Sequence, residues 1–218
     1  MADPRVPVNV AYQGLAGAFS EAAATALFPE AALVPRRTFA EVFGALASGE
    51  ADAAVVPVEN THAGSVADVY DLLRHHHENT IVAELILRVR HSLLGVRGAR
   101  LEDVRVARSH PQALAQSEAA ERYDLDVLAD AIETAADNFT RFFAVAPSRD
   151  REIVDRIPPS LRRGPIKTSL AYKTANLPGA LVRSLQPFAT AWIQLSKIES
   201  RPSRAAPWDY VFYLDFEG

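Results

Sequence analysis

Apolar positions in the first half of the chain fall into short runs separated by stretches of helical spacing. Val8 to Tyr12 reads as a strand, a turn carrying Gly14 and Gly17 follows, and an alanine-rich helix is predicted from Phe19 to Phe28. Ala32 to Pro35 is a short strand. Thr38 opens a second helix with Glu41 three residues on, the spacing of a capping box. Ala53 to Val58 is continuously apolar, as a buried strand is, and Gly64 to Arg74 reads as a helix started by Ser65. Strand and helix alternating at this spacing predict an α/β layer fold with parallel strands.

The pattern changes in the second half. Thr80 to Val96 is longer and more extended, as expected of a strand crossing between two lobes. A loop at Ser109-His110-Pro111 opens another helix, and Thr140 to Val145 is a further strand. Residues 147–165 are rich in Arg, Asp and Pro, show no sustained apolar face and read as a linker. Beyond them Lys167–Lys173, Pro178–Ala189, Ile193–Ser200 and Trp208–Phe216 predict a small strand–helix–strand–strand unit.

Composition removes several function classes. The 218 residues are 49% hydrophobic and 23% charged, ordinary for a soluble globular protein. A net charge of −4 without a basic block argues against a nucleic-acid partner. Cysteine is absent, which excludes disulfides, thiolate metal sites and cysteine nucleophiles and fits a reducing, cytoplasmic interior. The N-terminal segment lacks the apolar core of a signal peptide, and no run reaches the ~18 apolar residues of a membrane span. His75-His76-His77 suggests a metal tract, but consecutive helical positions point in different directions, so a solvated helix end and no metal are expected.

Chemistry is carried by three loop-to-helix junctions: Gly14 to Ser20, Asn60 to Ser65, and Ser109 to Gln112. Helix N-termini carry unpaired N–H groups and a partial positive charge, so each suits a carboxylate or phosphate. Together they suggest a cleft for a small polyanion.

The blocks Ala11-Tyr12-Gln13-Gly14 with Gly17-Ala18-Phe19-Ser20-Glu21, Val56-Pro57-Val58-Glu59-Asn60-Thr61 with Gly64-Ser65-Val66, Ser109 to Gln116, and Asn138-Phe139-Thr140-Arg141-Phe142 resemble prephenate dehydratase and arogenate dehydratase. Asn176-Leu177-Pro178-Gly179-Ala180-Leu181 and Glu199-Ser200-Arg201-Pro202 are similar to the ligand-binding motifs of that family's ACT regulatory domain. The resemblance implies a bilobed, periplasmic-binding-protein-like α/β catalytic domain over residues 1–146, a linker over 147–165, and an α+β, ferredoxin-like ACT domain over 166–218. The implied reaction removes water and carbon dioxide from prephenate to give phenylpyruvate in phenylalanine biosynthesis, with no cofactor, because aromatisation drives it.

The resemblance puts the catalytic hydroxyl on Thr140 and donors to substrate on Asn60, Thr61, Gly64, Ser65, Gln112 and Ser20. Arg141 either pairs with a substrate carboxylate or makes a structural ion pair with Glu59 or Asp137. Phe142 packs internally or walls the ring. Phenylalanine is expected on Asn176 to Leu181 with Glu199, Ser200 and Arg201, between paired ACT domains of a homodimer or homotetramer. Two departures stand out. The family carries a further strand–helix–strand stretch after Gln116, and an ACT domain adds a second helix and a fourth strand beyond the position of Gly218. Arogenate dehydratase and a non-catalytic phenylalanine-binding protein are the alternatives.

Overall fold

The structure is a computed structural model that describes residues 7–106, 125–132, 137–148, 150, 152–203 and 208–218. The chain divides into two compact units, Met1–Arg162 and Arg163–Gly218.

In the first unit the strands are β1 (Asn9–Gln13), β2 (Ala32–Arg36), β3 (Ala53–Asn60), the short β4 (Gly64–Ser65), β5 (Asn79–Arg88), β6 (Leu93–Val96), β7 (Leu125–Ala129) and β8 (Phe139–Pro147). The helices are α1 (Phe19–Leu27), α2 (Phe39–Ser48) and α3 (Ala67–His75). The main sheet runs β2-β1-β3-β8-β5, with β4 beside β3; β6 and β7 pair separately. Only part of the parallel expectation holds. β2, β1 and β3 are parallel, as βαβ crossovers require, but β8 runs antiparallel to both β3 and β5. β8 comes late in the chain and lies between β3 and β5.

The extended stretch predicted from Thr80 to Val96 is broken. β5 ends at Arg88 in the main sheet, and the chain resumes as β6 in the smaller one. Two segments cross between the sheets, and they are tied together: the Ser92 hydroxyl donates to Asp130 Oδ1 at 2.6 Å, and Ile132 N–H donates to the His91 carbonyl at 2.9 Å. The Ser92 bond, with the Ala131 N–H and Arg90, holds the Asp130 carboxyl below the usual aspartate range. The tie is therefore present above that range and is lost as pH falls through the lowered value.

α2 is capped as predicted, with Thr38 Oγ1 accepting from Glu41 N–H at 3.2 Å. The Glu41 carboxylate reaches back to Arg37 N–H, one residue beyond the usual partner. Gly64 and Ser65 do not open α3. They form β4 against β3, and α3 starts at Ala67 after Val66, which offers no side-chain cap.

The core beneath α1 is built from alternate residues of the sheet. Val10, Tyr12, Ala53, Val55, Phe142 and Ala144 share it with Ala23, Ala24 and Leu27 of α1. Segment 147–165, expected as a linker, supplies two further core side chains. Ile153 and Ile157, four residues apart in and just after a 3-10 turn, are buried among them.

The second unit holds β9 (Lys167–Tyr172), α4 (Ala180–Thr190), β10 (Leu195–Pro202) and β11 (Tyr210–Glu217) in an antiparallel sheet ordered β10-β11-β9. α4 covers one face, with Phe188 edge-on to Phe216 at 5.2 Å and Ser184 bonded to the Tyr172 hydroxyl at 2.9 Å.

Phe142 is 1% exposed at the centre of the α1 core. Phe142→Ala should therefore destabilise the first unit by about 3–5 kcal/mol, read from urea unfolding followed by circular dichroism. A loss under about 1 kcal/mol would show that the core collapses around the gap.

Candidate active site

The centre of the site is set by one irregularity in β3. Pro57 has no N–H to give the ladder, and the β3–β8 register shifts between Pro57 and Glu59, leaving Val58 as the extra residue of a bulge. Before the bulge Val55 lies opposite Ala144 and Pro57 opposite Phe142; after it Glu59 meets Arg141 and Asn60 meets Thr140. The extra residue turns Asn60 onto the face that carries Thr140. Without it Glu59 would stand there.

Asn60 is then locked from both ends. Its Oδ1 accepts the backbone N–H groups of His62 and Ala63, each at 2.9 Å, which fixes the orientation of the amide. Its Nδ2 lies 2.7 Å from Asn138 Oδ1, 3.0 Å from the Phe139 carbonyl and 3.0 Å from Thr140 Oγ1. Thr140 thus receives a hydrogen bond and keeps its own proton to donate. Polarisation along the chain makes that proton a better donor than an isolated hydroxyl's.

Thr61 serves the same junction. Its hydroxyl donates to the Asp137 carbonyl at 2.9 Å and accepts from Phe139 N–H at 3.0 Å, while its own N–H reaches the Phe139 carbonyl at 2.9 Å. The Thr61 proton is therefore used inside the protein, against the expectation of a donor to substrate, and so are the amide protons of Asn60. His62 pairs with Asp137 at 3.3 Å across the same gap, an interaction that carries no signal in the sequence.

Strand alternation separates Thr140 from Arg141. Arg141 faces α3, where its guanidinium lies 3.3 Å from Glu59, 3.4 Å from Glu84 and 3.4 Å from the Tyr70 hydroxyl, over the ring of Phe143. The structure shows Arg141 ion-paired. Its partners are Glu59 and Glu84, and Asp137 pairs with His62 instead. Phe142 lies in the α1 core.

On the Thr140 face, the turn before α1 is held by Glu21. Its carboxylate accepts Gly17 N–H at 2.5 Å and the Tyr12 hydroxyl at 3.3 Å, so the helix start already carries an anion of its own. Gly14 has φ +122°, and a Cβ there would lie 2.9 Å from that of Ala18, so the turn requires glycine. Ser20, buried on the sheet side of α1, makes no side-chain hydrogen bond to described residues. Gly64 is exposed at the turn, Ser65 lies in β4, and Gln112 falls outside the described residues.

His75 binds the Asp71 carbonyl, while His76 stacks on Phe43 and contacts Glu78, so the histidine run diverges as expected. In the second unit alternation divides the motif residues again. Ser200 pairs with Phe212 on the face covered by α4, and Asn176, Leu177, Pro178 and Gly179 lead into Ala180 and Leu181 at the start of that helix. Glu199 and Arg201 point to the other face, 3.8 Å apart, with Lys197 3.3 Å from Glu199.

The model of the prephenate dehydratase family matches residues 10–119, from β1 through the Asn60 turn and beyond. The chain belongs to the prephenate dehydratase family. Among its curated relatives is arogenate dehydratase/prephenate dehydratase 2 of Arabidopsis thaliana, a chloroplastic protein 37% identical over 96% of this chain and 65% of its own length. The chain thus spans just under two thirds of that relative. The alignment needs 257 positions to hold most of a 218-residue chain, so several dozen positions of the relative have no counterpart here. Several solved structures share the fold. GqqA, named as a novel type of quorum quenching acylase, superposes with a TM-score of 0.81 at 29% identity, covering 96% of this chain and 87% of its own. A prephenate dehydratase of Arthrobacter aurescens in complex with L-Phe has a TM-score of 0.79 at 26% identity, covering 97% and 81%. No helix among the described residues is long and apolar enough to cross a membrane.

Arg141→Ala should lower stability by up to about 3 kcal/mol, since Glu59 and Glu84 lose their counter-charge, and adding Glu84→Gln should restore part of it. An unfolding midpoint unchanged by Arg141→Ala would show that the guanidinium is free to serve a ligand instead.

Proposed function

We propose that this chain is a prephenate dehydratase, a carbon–oxygen lyase that removes water and carbon dioxide from prephenate to give phenylpyruvate in the cytoplasm. The observation that carries this is the Asn60–Thr140 pair, one hydroxyl primed by a locked amide in a chain of this family. Electrons of the bond to the departing carboxyl move into the ring, and the ring hydroxyl leaves with its own pair. Thr140 Oγ1 donates a hydrogen bond that strengthens as charge grows on that oxygen, its proton moves late, and solvent restores it. Positioned donors of this kind are worth roughly 10²–10⁴ in rate. Asn60 and Thr61 position the hydroxyl. Ser20, Gly64, Ser65 and Gln112 receive the substrate's carboxylates, and no cofactor takes part.

In this reading residues 1–146 form the bilobed catalytic domain, with β6 and β7 in its second lobe, and residues 166–218 form the ACT domain. The sheet order β10-β11-β9 supports the latter, since a ferredoxin-like sheet without its fourth strand has that order. The L-Phe complex of the Arthrobacter relative supports phenylalanine as the feedback ligand, taken by the Asn176–Leu181 loop with Ser200 in a homodimer or homotetramer. Relatives named arogenate dehydratase support arogenate as the alternative substrate. The likeness to GqqA favours a second reading, acylase activity on the same fold.

Prephenate, arogenate and an acylated amide offered in parallel separate these readings. Thr140→Ala is expected to lower phenylpyruvate formation by about 10²-fold or more, with Thr140→Ser retaining most of it. Undiminished conversion by the alanine variant would sink the mechanism. Phenylalanine should raise the melting temperature of the wild type. In Gly179→Val, where φ is +76°, that rise should vanish; an equal rise in both would move the ligand elsewhere.

A further inference from the structure

His91 takes no part in the reading above, yet the fold brings it to the same place. Leu87 pairs with Thr140 in the β5–β8 ladder, and Val89 N–H still donates to the Asn138 carbonyl at 2.8 Å just past the end of β5. Alternation along this extended stretch puts Leu87, Val89 and His91 on the face that carries Thr140. The ring of Phe19 confirms it: Phe19 opens α1, packs against the α1 core, and meets the His91 imidazole edge-on at 6.3 Å. The backbone of His91 is also fixed, because its carbonyl accepts Ile132 N–H from the second crossing segment. Phe19 stands beside Ser20, so His91 meets the start of α1 on the face of the sheet that carries Thr140. Arg141, the cation of the adjacent motif, faces the opposite side and is held by Glu59 and Glu84.

We propose that His91 is a further substrate-contacting residue, whose imidazole donates a hydrogen bond to a carboxylate of a dicarboxylic substrate lying between α1 and Thr140. This rests on the dehydratase reading. A donor to a charged acceptor on a rigid crossing segment fixes the ring of the substrate against the Thr140 hydroxyl, and Phe19 keeps the imidazole from turning away.

The test is calorimetric titration of prephenate into the Thr140→Ala chain, alone and with His91→Leu or His91→Phe added. The phenylalanine variant keeps a ring against Phe19, so its melting temperature should match the parent. Loss of the donor should raise the dissociation constant about tenfold or more in both. In the wild-type background, His91→Phe should raise KM by a similar factor while kcat changes less than about threefold. Affinity within twofold of the parent in either folded variant overturns the assignment of His91 and leaves the dehydratase reading standing. Absence of both prephenate binding and turnover in the wild type overturns that reading, and the assignment with it.

Discussion

A single extra residue in β3 determines where the polar groups of the first unit meet. The bulge at Val58 follows a proline that cannot complete the ladder, and it shifts Asn60 into line with Thr140. From that alignment the rest follows. The Asn60 carbonyl gathers the N–H groups of the next turn, its amide bridges to Asn138, Phe139 and Thr140, and Thr61 closes the junction from the other side. The site is built on two adjacent strands of a buried sheet, so its geometry is tied to the core rather than to a loop.

The sheet divides labour between its faces. Consecutive residues Thr140, Arg141 and Phe142 go to a candidate hydroxyl donor, an ion-pair centre and the core, because side chains alternate along a strand. Arg141 holds β3, β8 and β5 together through Glu59 and Glu84 on one face, while the α1 core holds the same three strands on the other. A hydroxyl between these two clamps has little freedom, which is what a weak acid needs if its hydrogen bond is to strengthen only as charge develops.

The second unit repeats the lesson at smaller scale. Its helix shields one face of a three-stranded sheet, and its motif residues are split between faces, Ser200 on the helix side and Glu199 with Arg201 on the other. Glu199 and Arg201 form a charged row with Lys197.

Hydrophobic spacing determined the elements themselves: the strands at Val8, Ala32 and Ala53, the capped helix after Thr38, and the strand–helix–strand–strand unit all lie within a few residues of their predicted places. Local physics suffices there, since period and capping are properties of neighbouring residues. The motifs also led to the family. The direction of β8 was not legible, because pairing between strands some eighty residues apart leaves no local trace. The same is true of the Asn60–Thr140 contact, the Arg141–Glu84 pair and the nearness of His91 to Phe19. Ile153 and Ile157 looked like part of a linker because the core that buries them is made elsewhere in the chain. Which polar groups exist was written in the sequence; which of them face one another depends on register and strand order, and those only tertiary packing decides.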